Sequence, residues 1–304
     1  MQKVVFPLVL VVLVLTSTAC RDQSQHPVGD PLSAGTGGAE GQTASGGCKP
    51  FTTSQVMKVS SYDVEIMLPE GDVKADLLVL PGWNFSRTDW CAKSSLCKRA
   101  LKKGYRLILP EMGKSIYASE YYPETRNDWR VYPTRTWVTD TLIPQLQNDH
   151  CVLQHGGHNY MVGLSTGARG VALIALHRPG LFAAGAALSG DYDQRLLTSD
   201  NLMRGVYGDY ESFKDRWEGQ DNPTVNADKF TTPLYLGHGL EDDVVPHEQT
   251  EVFYKALKRA RPDLHVELHL ADNKGHDYGY WNSEVDDMIT FFDRFQNSTA
   301  ESVE

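Results

Sequence analysis

Asn159-Tyr160-Met161-Val162-Gly163-Leu164-Ser165-Thr166-Gly167-Ala168-Arg169-Gly170 decides how the rest of this sequence is read. An apolar run ends in Gly163-x-Ser165-x-Gly167 and gives way to small residues and an apolar helical pattern. The pattern predicts a strand, a sharp turn that carries a serine, and a helix. A turn this tight crowds neighbouring backbone, which is why glycine stands two residues before and two after the serine. The hydroxyl is lifted clear of the sheet, beside a helix N-terminus that favours negative charge. A serine so placed is a candidate nucleophile. It needs a base, an acid and oxyanion donors from elsewhere in the chain.

The 304 residues, 41% of them hydrophobic, suffice for a sizeable core. With 29 basic against 39 acidic residues the net charge is −10, and no Lys/Arg cluster is present, which argues against nucleic acid as a partner. No Cys-x-x-Cys spacing suggests a metal, His265 and His269 alternate in an expected strand, and nothing suggests an organic cofactor.

Lys3 precedes an almost wholly apolar stretch from Val4 to Leu15, then Ser17, Thr18, Ala19 and Cys20. The run is too short to span a bilayer comfortably, so residues 1–20 read as an export signal. Small residues directly before a cysteine resemble the lipobox of bacterial lipoproteins, although Ser17 stands where leucine is usual. That resemblance implies lipidation at Cys20 and a place at a membrane of the bacterial cell envelope; plain signal cleavage is the alternative. Residues 21–47 are Gly-, Ser-, Thr- and Gln-rich and read as a flexible tether, which leaves 48–304 as the folded domain. The other cysteines are Cys48, Cys91, Cys97 and Cys151, and an oxidising compartment predicts two disulfides. Of three possible pairings, a local Cys91–Cys97 clip with Cys48–Cys151 is preferred; four free thiols is the alternative.

Along the folded part, 60–68 alternates as a half-exposed strand, while 73–80 and 105–109 read as strands buried on both faces. A helix is expected between them from about Trp90 to Lys103. The 111–136 stretch has no clean period but many aromatic and Arg residues, and reads either as a pocket-forming loop or as a surface insertion. Residues 137–146 are helical, with Pro144 expected to kink or end the helix. Helices over 168–177 and 252–260, strands over 182–188, 234–236 and 264–270, and a last helix burying Val285, Met288, Ile289, Phe292 and Phe295 follow. Residues 194–232 read as irregular. Strands alternating with helices predict an α/β fold, a mostly parallel sheet with helices on both faces.

Functional groups on such sheets gather past the carboxyl ends of strands. His238-Gly239-Leu240-Glu241-Asp242-Asp243-Val244-Val245-Pro246 follows a strand and resembles the His-Gly-x-x-Asp-x-x-Val-Pro loop of the α/β-hydrolase superfamily, whose fifth position carries the triad acid. That position is Asp242, with Asp243 and Glu241 as its competitors. Lys274-Gly275-His276-Asp277-Tyr278-Gly279-Tyr280-Trp281 is similar to the Gly-His-Asp-x-x-x-Trp stretch of the esterase branch that includes esterase D and feruloyl-esterase-like enzymes. The resemblance makes His276 the base. Oxyanion donors would be the backbone N–H groups of Thr166 and of Trp83 in Pro81-Gly82-Trp83, where many relatives have His-Gly-x.

The order Ser165, Asp242, His276 matches that superfamily, and the resemblance spans about 60–295. It implies a serine esterase acting through an acyl-enzyme; with the export signal and the aromatic residues near the motifs, a small-molecule or carbohydrate ester outside the cytoplasm is the expected substrate. Asn84, Tyr192, Tyr278 and Trp281, close in sequence to these motifs, are candidate pocket residues, although aromatics serve packing equally well. A prolyl-oligopeptidase-like peptidase and a non-catalytic surface binding protein are the alternative readings.

Overall fold

The apolar runs of the sequence become strands stacked side by side, and their period of two divides their side chains between two cores. The computed structural model describes residues 47–296; the expected signal, Cys20 and the tether before Gly47 lie outside the described residues. In chain order the strands are β1 (Gln55–Val59), β2 (Tyr62–Met67), β3 (Ala75–Leu80), β4 (Tyr105–Pro110), β5 (Asn159–Leu164), β6 (Ala184–Leu188), β7 (Leu234–Gly239) and β8 (Val266–Ala271). They form one sheet in the order β1-β2-β4-β3-β5-β6-β7-β8. Only β2 runs against its neighbours, and every pairing from β4 to β8 is parallel.

The helices are α1 (Asp89–Lys93), α2 (Leu96–Lys102), α3 (Arg135–Trp137), α4 (Ile143–His150), α5 (Thr166–His177), α6 (Asn201–Tyr207), α7 (Lys214–Trp217), α8 (Glu248–Ala260), α9 (Tyr278–Ser283) and α10 (Val285–Gln296). Leu78, Leu80 and Met161 point to one face of the sheet, where α4, α5 and α8 cover them. Leu77, Val79, Tyr160 and Val162 point to the other, under α1, α2, α9 and α10. This is the predicted α/β arrangement with helices on both faces. A third, smaller cluster joins Ile116, Ala118 and Trp129 to Met203, Val206, Tyr207 and Trp217. It packs the two irregular segments, 111–136 and 194–232, against each other.

Four local features differ from the sequence reading. Strand β1 was not expected: Gln55, Val56 and Lys58 are exposed, so this edge strand shows no apolar alternation. The helix expected over 90–103 breaks at Ser94, whose extended backbone separates α1 from α2. The helix carrying Pro144 does not end there. A π-helical turn, Val138–Leu142, widens the coil just before it, as a residue that cannot donate an N–H requires, and α4 runs on to His150. The 194–232 segment holds two short helices, α6 and α7.

Both preferred disulfides are present. Cys91–Cys97 bridges the α1/α2 break, and Cys48–Cys151 ties the start of the domain to the end of α4. Among the described residues no helix is long and apolar enough to cross a membrane.

Candidate active site

Ser165 sits between β5 and α5 with φ 55° and ψ −126°, a left-handed backbone that non-glycine residues avoid. The flanking glycines make that turn possible. A Cβ on Gly163 would overlap the Gly167 carbonyl, and one on Gly167 would lie 2.5 Å from the Leu80 carbonyl oxygen. The strain is thus fixed by close backbone contact between β5, α5 and the end of β3.

Asp242 follows β7 by three residues, and its carboxylate is wholly buried. Glu241 and Asp243, its competitors, are exposed. Oδ1 accepts the Val244 and Val245 amides at 2.9 and 2.8 Å, and Oδ2 faces His276 Nδ1 at 2.7 Å. Burial pushes the Asp242 carboxyl up, but hydrogen bonds from His238, His276 and the Val245 amide outweigh it and hold the group well below the usual carboxylate range. An ionised Asp242 fixes Nδ1 of His276 as the protonated nitrogen and leaves Nε2 free to accept a proton. His276 itself follows β8, with Trp281 edge-on to its ring at 5.1 Å.

Ser165, Thr166 and His276 open on one cavity of about 240 Å³. Ser165 and His276 line the same space without a hydrogen bond between them; such contacts tighten in substrate complexes. The amides of Thr166 and Trp83, the expected oxyanion donors, take part in none of the backbone hydrogen bonds of the surrounding loops. The Trp83 loop lacks the histidine of many relatives. Tyr117 holds it instead, donating from its buried hydroxyl to the Pro81 carbonyl at 2.9 Å, while the Asn84 amide donates to Gly113 at 2.8 Å. Both partners come from the 111–136 segment, so this stretch supports the site.

The cavity wall is mostly apolar. Trp83 and Phe85 line one part, Val244 and Val245 another, and Leu197, Leu202 and Met203 come from the 194–232 segment. Two carboxylates, Asp191 and Asp200, also line it, and no Lys or Arg does. Asp191 is held by Arg169, which is fully buried and also donates to the Ile116 and Asp221 carbonyls and the Tyr207 hydroxyl. Burial pushes the Asp191 carboxyl up, and Arg169 opposes it.

The other candidate pocket residues lie elsewhere. Tyr192 is core, stacked on Phe253 at 4.6 Å. Trp281 is buried behind His276 and donates to Ser189 Oγ at 3.1 Å. Tyr278 packs between Phe85 and Trp281, and Asn84 is exposed with φ 57°. None of the four lines the cavity. Of the residues that do, Asp191, Leu197, Asp200, Leu202 and Met203 lay in or next to segments without periodicity, where sequence offered no signal. Among the described residues no group of His, Cys, Asp and Glu could hold a metal ion.

The sheet order, the serine turn after β5 and the Asp242–His276 pair after β7 and β8 define the α/β-hydrolase fold. Comparison with known proteins agrees. Residues 153–300 match the model of the prolyl oligopeptidase family. The chain is 22% identical over 297 residues to the diacylglycerol acyltransferase/mycolyltransferase Ag85A of Mycobacterium tuberculosis, covering 86% of this chain and 87% of that one. In structure it resembles an S-formylglutathione hydrolase from Agrobacterium tumefaciens, with TM-score 0.62 and 14% identity over 80% of this chain and 94% of that one. A ferulic acid esterase gives TM-score 0.58 and 16% identity over 81% and 98%.

Proposed function

We propose that this protein is a serine esterase that cleaves carboxylic esters through an acyl-enzyme intermediate. One observation carries the reading: the His276–Asp242 pair, joined at 2.7 Å, opens on the same cavity as the strained Ser165. His276 takes the Ser165 proton as Oγ attacks the ester carbonyl, and the Thr166 and Trp83 amides donate to the oxyanion. The imidazolium then gives its proton to the leaving alkoxide. In the second half His276 removes a proton from water as its oxygen attacks the acyl carbon, the bond from that carbon to Ser165 Oγ breaks, the acid leaves, and His276 returns the proton to Ser165.

The apolar wall suits a short acyl or aryl group, and Asp200, whose charge no Lys or Arg in the wall offsets, disfavours an anionic one. A small ester or an acylated carbohydrate fits these terms. The sequence of the first 20 residues supports export, and lipid attachment at Cys20 would hold the enzyme at the cell envelope, its substrates outside the cytoplasm.

The match of 153–300 to the prolyl oligopeptidase family favours a second reading, a serine peptidase. Matched pairs of p-nitrophenyl esters and p-nitroanilides with the same acyl group separate the two. Faster turnover of the esters, lost in Ser165→Ala, supports the esterase. Preference for the anilides supports the peptidase, and turnover of neither overturns both. Product analysis with added alcohol would show whether the acyl group also passes to acceptors other than water, as the name of the 22%-identical relative describes for that protein.

A further inference from the structure

Asp242 is approached by two imidazoles. Besides His276 at 2.7 Å, His238 Nε2 lies 3.2 Å from the same Oδ2. His238 is within β7 and has no exposed surface, as is true of the Asp242 carboxylate. The hydrogen bond of that Nε2–H goes to the Val245 carbonyl at 2.9 Å, and Oδ2 stands beside it as the more distant neighbour of the same proton. A nitrogen set between a carboxylate and a carbonyl, neither of which can donate, must carry the proton itself. The far nitrogen, Nδ1, meets the hydroxyl of Thr250 on α8 at 2.7 Å, which donates to it when the ring is neutral. A chain Thr250–His238–Asp242–His276 therefore runs from α8 through the end of β7 to the cavity.

The chain answers a mechanical need. Asp242 stands on a loop, and the Val244 and Val245 amides both grip Oδ1. Those bonds hold the carboxylate to its own loop, but they do not hold the loop to the sheet. A ring in β7 that bonds the Val245 carbonyl, lies against Oδ2 and is anchored to a helix through Thr250 ties that loop down, and so fixes the direction in which Asp242 holds His276.

We propose that His238 is a positioning residue for the reaction: its Nε2–H, bonded to the Val245 carbonyl and set against Asp242 Oδ2, fixes the loop that carries Asp242, so that His276 is held in the tautomer and orientation that face Ser165. The inference rests on the reading of Ser165, Asp242 and His276 as the catalytic groups. His238 makes no contact with the cavity, so its loss lowers kcat without changing KM.

The test compares the whole protein with His238→Phe, His238→Gln and Thr250→Val on p-nitrophenyl butyrate, reading kcat, KM and the low-field proton resonance of the His276–Asp242 hydrogen bond. His238→Phe is expected to lower kcat by about 100-fold, the scale of a misplacement near 1 Å, with KM unchanged and the resonance shifted or broadened. His238→Gln keeps an N–H able to reach the Val245 carbonyl and is expected to recover most of the loss. Wild-type kcat with an unmoved resonance in His238→Phe overturns the proposal. Should that variant fail to fold, Thr250→Val decides: a kcat about tenfold lower at constant KM supports it, and wild-type kcat overturns it. Ester turnover that survives Ser165→Ala would instead overturn the catalytic reading on which the proposal stands.

Discussion

His276 Nδ1 lies 2.7 Å from Asp242 Oδ2, across thirty-four positions of sequence, because β7 and β8 are parallel neighbours whose C-terminal ends open on the same edge of the sheet. The bond sets which nitrogen of His276 is free. Asp242→Asn replaces an acceptor with a group that can present its own N–H, which favours the wrong tautomer. Turnover of a chromogenic ester is expected to fall about 10,000-fold with KM little changed. A loss below tenfold in steady-state kinetics would contradict the role.

The same bonds predict an acid limb for stability. The folded-state pKa of Asp242 is depressed below its unfolded value of about 3.9, so its contribution is present above that pH and is lost as pH falls through the folded value. Urea unfolding between pH 6 and pH 2 should show wild type losing its advantage over Asp242→Asn as the solution is acidified below about pH 4. A gap that stays constant over that range would count against it.

Arg169 stands four residues after Ser165 on α5 and binds Asp191, Tyr207 and two carbonyls with no access to water. Arg169→Met leaves the Asp191 charge buried without its partner. Stability is expected to drop by about 3–5 kcal/mol, measured by denaturant unfolding. A change under 1 kcal/mol would mean that Asp191 gives up its charge at little cost.

The two disulfides differ in reach, closing spans of 103 and 6 residues. Restriction of the unfolded chain predicts that replacing Cys48 and Cys151 by serine costs about 2–3 kcal/mol more than replacing Cys91 and Cys97. Equal losses in parallel urea titrations would show that strain or unfolded-state structure outweighs chain entropy.

The sheet and the places of Ser165, Asp242 and His276 past its strand ends were legible in the sequence for a common reason. Apolar runs such as 75–80 report burial directly, and Gly163, Gly167 and the 238–246 loop are constrained by close backbone packing. The cavity was not legible. Its wall comes from Leu197, Leu202 and Met203, placed by contacts with Trp83 and Trp129, far apart in sequence. Nearness in sequence to a motif misled the reading of Tyr192, because the chain turns inward after Asp191 and stacks the ring on Phe253. His238 was read only as the first residue of a motif; the turn after β7, closed by the Asp242 amide on the Gly239 carbonyl, is what brings the two side chains together.

The central claim is that Ser165 is the nucleophile of an esterase. Its most direct test is turnover of p-nitrophenyl butyrate by wild type and Ser165→Ala, alongside labelling of both by a fluorophosphonate. The account predicts that wild type turns over the ester and is labelled at Ser165, while the variant keeps its fold, takes no label and is slower by about six orders of magnitude. Ester turnover by Ser165→Ala at the wild-type rate, or labelling of wild type at another residue, would contradict it.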